Sequence, residues 1–184
     1  DGVAWCEQKR TAGGSYTAAW TDKTSRLLFT IADTFPQDES KTAAVETVKR
    51  AAAEVPDDLL KSHRDWWQAY YPASFVSVPD AQIEGFYWIQ MYKLASAMRP
   101  DGMVMDLQGP WSRATDWPRI WWNLNIQIAY SPVYAANRLE LGESFTRFID
   151  SRRQAFVANA KEIWGFDDCA TTPHTTSYDG SNGN

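Results

Sequence analysis

The chain has 184 residues and a formal net charge of −5; 44% of it is hydrophobic and 22% charged. That is ordinary for a globular chain of one domain, or parts of two, and long enough to bury a core. The acidic balance, without any basic block, argues against nucleic acid and anionic membrane as partners. No apolar run approaches the roughly 20 residues that a spanning helix needs.

Ten tryptophans are several times an average share and fit a sugar-handling or aromatic-packed helical protein. The only cysteines, Cys6 and Cys169, are too few and too far apart for a metal motif. They are read either as a pair in an exported protein or as two free thiols. No signal peptide is visible. A start at Asp1-Gly2 instead of Met reads as a processed or excised piece.

Residues 1–36 read as β. Val3–Gln8 and Ser15–Trp20 are short aromatic or β-branched runs, with Gly13-Gly14 between them as a hairpin signal. Arg26–Ala32 is a third strand candidate, and Pro36 ends the section. Three strands alone make a poor independent sheet, so they are expected to be the closing strands of a larger β-domain.

Residues 40–71 read as helical. Ser40 is of the type that caps a helix N-terminus, and good helix formers follow through Ala53. Pro56-Asp57-Asp58 restarts a second helix with Leu59, His63, Trp66 and Tyr70 on one stripe. On that stripe His63 reads as a core histidine before a catalyst.

Pro79-Asp80 opens the clearest helix, with Ile83, Phe86, Tyr87, Gln90, Met91, Leu94 and Met98 at helical period. Arg99-Pro100-Asp101-Gly102 stops it. Glu84 near its start is read first as a solvated acid favoured by the helix dipole.

The most informative stretch is Leu107–Tyr130, with four tryptophans, four carboxamides and little charge. Gly109-Pro110 and Trp117-Pro118 make its first half a loop. Asn123 and Asn125 share one side only if the backbone there is extended. A helix can begin near Asn125, which is a good capping type. Two amides aimed together hold a hydroxyl or a water by donor and acceptor at once. Tryptophan faces beside them suit the apolar faces of a pyranose. The stretch therefore reads as a carbohydrate-type pocket wall, against the plainer alternative of a core loop whose amides cap a helix. Asp106 and Asp116 flank it as sugar-hydroxyl ligands or as turn residues.

Helices are expected over 126–141 and 143–164, with Gly142 as a tight connection. Phe145, Phe148, Ile149, Arg152 and Phe156 form the stripe of the second. From Phe166 the chain is polar, turn-rich and aperiodic, and is expected to be a loop or tail whose partners are absent.

Leu107-Gln108-Gly109-x-Trp111, a spacer containing Trp117-Pro118, and Asn123-x-Asn125-x-x-x-x-Tyr130-x-Pro132 resemble glycoside hydrolase family 95. Those are large secreted bacterial α-L-fucosidases and related α-L-galactosidases. The likeness extends through Asn137. The chain departs from the family's usual glutamate at Gln127, asparagine at Ala129, tryptophan at Ser131 and a second glutamate at Tyr134.

The resemblance implies a mainly α fold: the opening helices of an (α/α)6 toroid, preceded by a few strands of a β-sandwich. Residues 1–36 would close the sandwich, 37–78 would be linker helices, and 79–184 the first part of an (α/α) barrel catalytic domain. It implies inverting hydrolysis of a terminal α-linked hexose such as α-L-fucose or galactose, in a secreted, periplasmic or cell-surface enzyme. Asn123 and Asn125 would hold the attacking water. Gln108, Trp111, Trp117, Trp121, Trp122 and Gln127 would bind substrate.

The partner is then an oligosaccharide or glycan. Inverting hydrolysis also needs two carboxyl groups roughly 6.5–9.5 Å apart, and the resemblance places both further along than Asn184. The alternative from a different class is a non-catalytic carbohydrate-binding or interaction module. No phosphate loop, Gly-x-Ser-x-Gly elbow or His-Glu-x-x-His motif is present. With His63 and His174 the only histidines, beside two cysteines, a structural zinc site is not expected; scattered Asp residues leave calcium open, though without an EF-hand loop, and no cofactor is expected.

Overall fold

Ser15, Thr17, Ala19 and Thr21 put only small or hydroxyl side chains on one face of a strand, and the structure buries that face. In the computed structural model, which describes residues 2–11, 13–22, 25–107, 109 and 117–183, β1 (Ala4–Lys9), β2 (Ser15–Thr21) and β3 (Leu28–Thr34) form an antiparallel sheet in that order. Lys9 pairs with Ser15, and Thr21 with Leu28. Gly13 and Gly14 both have positive φ in the first turn. At Gly14 a Cβ would sit 2.4 Å from the Thr34 carbonyl, so only glycine fits.

Ser15, Thr17, Ala19 and Thr21 are buried on one face of the sheet. Helix α1 (Ser40–Ala53) covers that face, packing Ala44 and Val48 on Ala19. Val3, Leu28, Ala32 and Val45 ring the contact, and the Lys41 ammonium lies 3.7 Å from the centre of the Trp5 ring. The opposite face, with Phe29 and Ile31, is exposed.

Ser40 is not the cap of this helix. Glu39 stands at that position without a side-chain capping bond. Ser40 is buried, and its hydroxyl meets Ser15 Oγ at 2.6 Å and Thr17 Oγ1 at 2.8 Å. Three hydroxyls satisfy one another where α1 meets β2, as buried polar groups must.

Helix α2 (Pro56–Tyr70) starts where Pro56 predicts, with Asp57 and Asp58 in its first turn. Only Tyr70 on it is buried. His63 is exposed and stands edge-on to Trp67 at 6.3 Å, so it is not a core histidine. Trp66 stacks on Tyr70 at 5.1 Å. The aromatic stripe makes contacts along its own helix.

The chain forms two compact units, Asp1–Tyr70 and Tyr71–Asn184. Helix α1 lies in the first unit with the sheet it covers. Cys6 and Cys169 are exposed free thiols.

In the second unit α3 (Ala81–Ala97) is capped by Asp80, whose carboxylate accepts from the Gln82 and Ile83 amides at 2.8 and 3.2 Å. Its buried side carries Met91 and Ala95, while Ile83 and Phe86 are exposed. Strand β4 (Ile120–Trp121) leads into α4 (Asn125–Ala135).

The helix expected over 126–141 ends at Ala135. Asn137 takes a positive φ and Leu139–Gly142 forms a 3-10 turn. The helix expected over 143–164 is two, α5 (Glu143–Ser151) and α6 (Arg153–Trp164), broken at Arg152. Gly142 joins the 3-10 turn to α5 with φ of −77°. A Cβ there would meet the Tyr134 ring at 3.1–3.2 Å, so the glycine serves a close approach.

The core of this unit gathers Ile120, Trp122, Ile126, Tyr130, Val133, Leu141, Phe148 and Phe156. Tyr130 stacks on Phe145 at 4.8 Å. Its oxygen accepts the Met105 amide at 2.9 Å and meets Ser144 Oγ at 3.1 Å.

The segment after Phe166 is turn-rich as expected, but it has partners. β5 (Thr175–Thr176) pairs antiparallel with β4. The Asn159 amide donates to the Gly180 carbonyl at 2.9 Å, and Arg152 Nε to the Tyr178 carbonyl at 3.1 Å.

Two predictions follow from these buried hydroxyls. Ser40→Ala leaves the Ser15 and Thr17 hydroxyls without their shared partner, so urea unfolding should show a loss of about 1–3 kcal/mol. A loss near zero would show that the trio contributes nothing. Burial raises the Tyr130 pKa, against the opposing bonds from Ser144 and Met105. A phenol whose folded pKa is raised adds stability that is complete below about pH 10 and lost as pH climbs through the folded value. Tyr130→Phe should therefore be less stable at neutral pH yet lose less than wild type between about pH 9 and 11 in thermal melts. Parallel alkaline losses in the two proteins would contradict this.

Candidate functional site

Strand β4 and the first turn of α4 carry the residues that matter most. Trp117 is 52% exposed and stacks on Trp121 with centroids 4.6 Å apart and planes at 25°. Trp121 is half-buried; its indole Nε1 is buried and has no partner among the described residues. The exposed His174 ring stands 5.0 Å from Trp121 at 83°.

Trp122 differs from its neighbour. It is 8% exposed, stacks on Phe148 at 6.1 Å and meets Phe156 edge-on at 5.6 Å. Its indole N–H donates to Thr176 Oγ1 at 2.9 Å. It is a core residue and presents no face to a ligand, which corrects its assignment to a pocket wall. Gln108, Trp111 and Asp116 lie outside the described residues.

The backbone between the two asparagines is not extended. Asn125 N–H donates to the Asn123 carbonyl at 2.9 Å across Leu124, whose φ and ψ are 71° and −42°. That is a γ-turn of the rare, strained kind. Asn123 is exposed and Asn125 half-buried. Asn125 is the first residue of α4, and no side-chain bond caps the helix. Neither asparagine side chain hydrogen-bonds to a described residue, so the amides are not held as helix caps.

Leu124 is 64% exposed, so packing does not compensate for its strain. Arg119, with φ of 120°, is a second strained residue just before β4. Such outliers persist where the surroundings over-determine them, and they concentrate at ligand sites.

Gln127 does not join the asparagines. Two residues along a helix is about 200° of rotation from Asn125. Gln127 instead lines an open cavity of about 450 Å³ with Tyr130, Ser131, Tyr134, Ala135 and Phe145. The structure thus brings Trp117, Trp121, Asn123 and Asn125 to one short segment and leaves Gln127 on another face.

The carboxylates are engaged elsewhere. Asp106 Oδ1 accepts the Gly109 amide at 2.8 Å as a turn residue. Glu84 Oε2 accepts the Val78 amide at 3.0 Å, tying down the chain before α3. No cluster of His, Cys, Asp or Glu among the described residues suits a metal ion.

The sequence gives little sign that His174 stands beside Trp121. Its only signal was a β-branched pair, Thr175-Thr176, in a segment otherwise read as a tail. Two residues are too few for periodicity to register a strand.

A search of protein-family models finds no match to this chain, and a search of curated proteins finds none. No helix among the described residues is long and apolar enough to cross a membrane.

Leu124→Gly tests the strain. Glycine adopts this φ freely and the leucine side chain is exposed, so the variant should gain about 1 kcal/mol in urea unfolding. Unchanged or lower stability would show that the turn is not strained.

Proposed function

We propose that this chain carries the water-holding part of a carbohydrate site. The parent activity is inverting hydrolysis of a terminal α-linked hexose such as α-L-fucose or galactose. The observation that carries this is the pair of unengaged side-chain amides, Asn123 and Asn125, two and four residues after Trp121 of the Trp117–Trp121 stack. The resemblance to glycoside hydrolase family 95 supplies the reaction class, the (α/α)6 toroid and the secreted, periplasmic or cell-surface location.

An amide offers both donor and acceptor. Two of them orient a water better than two carboxylates, which only accept. Stacked indoles meet the C–H face of a pyranose and exclude water beside it. Activation of that water needs a general base, and departure of the leaving group needs a general acid. Asp106 and Glu84 are committed to backbone amides, so neither is placed as that acid. A binding module without catalysis is the second reading, favoured by the same engagement of the carboxylates.

The 184-residue chain alone should bind but not turn over. Methyl α-L-fucopyranoside or methyl α-D-galactopyranoside should shield Trp117 from acrylamide quenching, an effect absent in Trp117→Ala. Hydrolysis of aryl α-L-fucosides should be undetectable, since lacking a general acid costs about 10²–10⁴-fold. No protection by either sugar would sink the carbohydrate reading, and robust turnover would place the acid within this chain.

A further inference from the structure

We propose that His174 is a ligand-contacting residue of this site, forming with Trp121 a corner that binds one pyranoside hydroxyl. This rests on the carbohydrate reading of the Trp117–Trp121 stack. The two rings lie 5.0 Å apart and 83° from parallel. Perpendicular planes at that distance make a floor and a wall. A pyranoside laid on one ring plane has its C–H face against aromatic carbon and its equatorial hydroxyls directed sideways, toward the other ring. A neutral imidazole has one donor and one acceptor nitrogen and so matches a hydroxyl in either sense.

His174 is exposed, yet it is not mobile chain. Its carbonyl accepts the Trp122 amide at 3.0 Å. The next two residues are buried and pair with β4. Trp122 Nε1 clamps Thr176 from the other strand. The backbone is therefore fixed on both sides of a side chain that the core does not use, which is how a contacting group is preorganised. Trp121 is fixed too, by the Trp117 stack and by its own pairing with Thr175. Neither imidazole nitrogen hydrogen-bonds to a described residue.

The test uses NMR of the whole chain titrated with methyl α-L-fucopyranoside and methyl α-D-galactopyranoside. The imidazole C–H signals of His174 are told from those of His63 by the His63→Gln variant. His174→Phe keeps a ring and loses the nitrogens, whereas His174→Gln keeps a hydrogen-bonding group. The expected result is saturable movement of indole N–H and His174 signals with one of the sugars. His174→Phe should weaken binding about tenfold, and His174→Gln by no more than about threefold. Saturable indole shifts with unchanged affinity in His174→Phe would overturn this inference and leave the carbohydrate reading standing. No saturable shift with either sugar in wild type would overturn both. Melting temperatures within error of wild type establish that the variants are folded.

Discussion

Trp122 is the residue on which the second unit closes. Its amide holds the His174 carbonyl, its indole N–H holds Thr176, and its ring sits among Phe148 and Phe156. One side chain thereby joins β4, the C-terminal segment and the helices α5 and α6. A two-residue ladder such as β4–β5 would be marginal alone. It persists because its hydrogen bonds are shielded by a packed indole, and because Gly180 lets the segment lie against α6. A Cβ at Gly180 would come within 2.9 Å of Arg152 Cβ.

The strained turn follows from this anchoring. The chain is fixed at Trp122, and α4 begins at Asn125 with Ile126 already in the core. Only Asn123 and Leu124 remain to change direction. A γ-turn is the shortest hydrogen-bonded reversal available, and the chain takes its classic form here, with positive φ at Leu124. The asparagines occupy its two ends. Leu124, which has no polar side chain, holds the N-cap position, so neither asparagine stands where a cap would. The freedom of the amides and the strain at Leu124 are two results of one constraint.

Local chemistry was legible where a single signal dominated. The aromatic and β-branched run Ser15–Trp20, the glycine pair, Pro56 and Asp80 each marked an element that the structure contains. Tertiary demands were not legible. Ser40 has the composition of a cap, but its hydroxyl is claimed by Ser15 and Thr17 across the sheet, residues far away in sequence. Helices α3 and α4 are apolar on more than one side, so period alone did not tell Ile83 and Phe86 from Met91 and Ala95. The run 143–164 keeps a helical pattern through Arg152, where its Nε binds the Tyr178 carbonyl and the helix breaks. In the site, adjacent tryptophans with the same composition diverged: Trp121 faces outward toward His174 and Trp122 inward. Only the pairing of β4 with a segment read as a tail decides which is which.

The displaced titrations fit a site built of neutral dipoles. Lys9 is raised by its hydrogen bond to Asp38, Arg10 by its bond to Asp33, and Tyr130 by burial; Asp179 is lowered by the Ser181 hydroxyl. Each shift has a local structural cause, and none of these groups contacts the asparagine pair. Groups tuned for proton transfer usually advertise themselves by burial and charge partners in a cleft. Amides cannot be tuned in that way, because they carry no proton to move near neutral pH. What they contribute is direction: a water held between donor and acceptor keeps its lone pair aimed without being ionised. On the carbohydrate reading proposed above, such a half-site would orient without activating, and the acid–base work of hydrolysis would fall to carboxylates outside the Asn123–Asn125 turn.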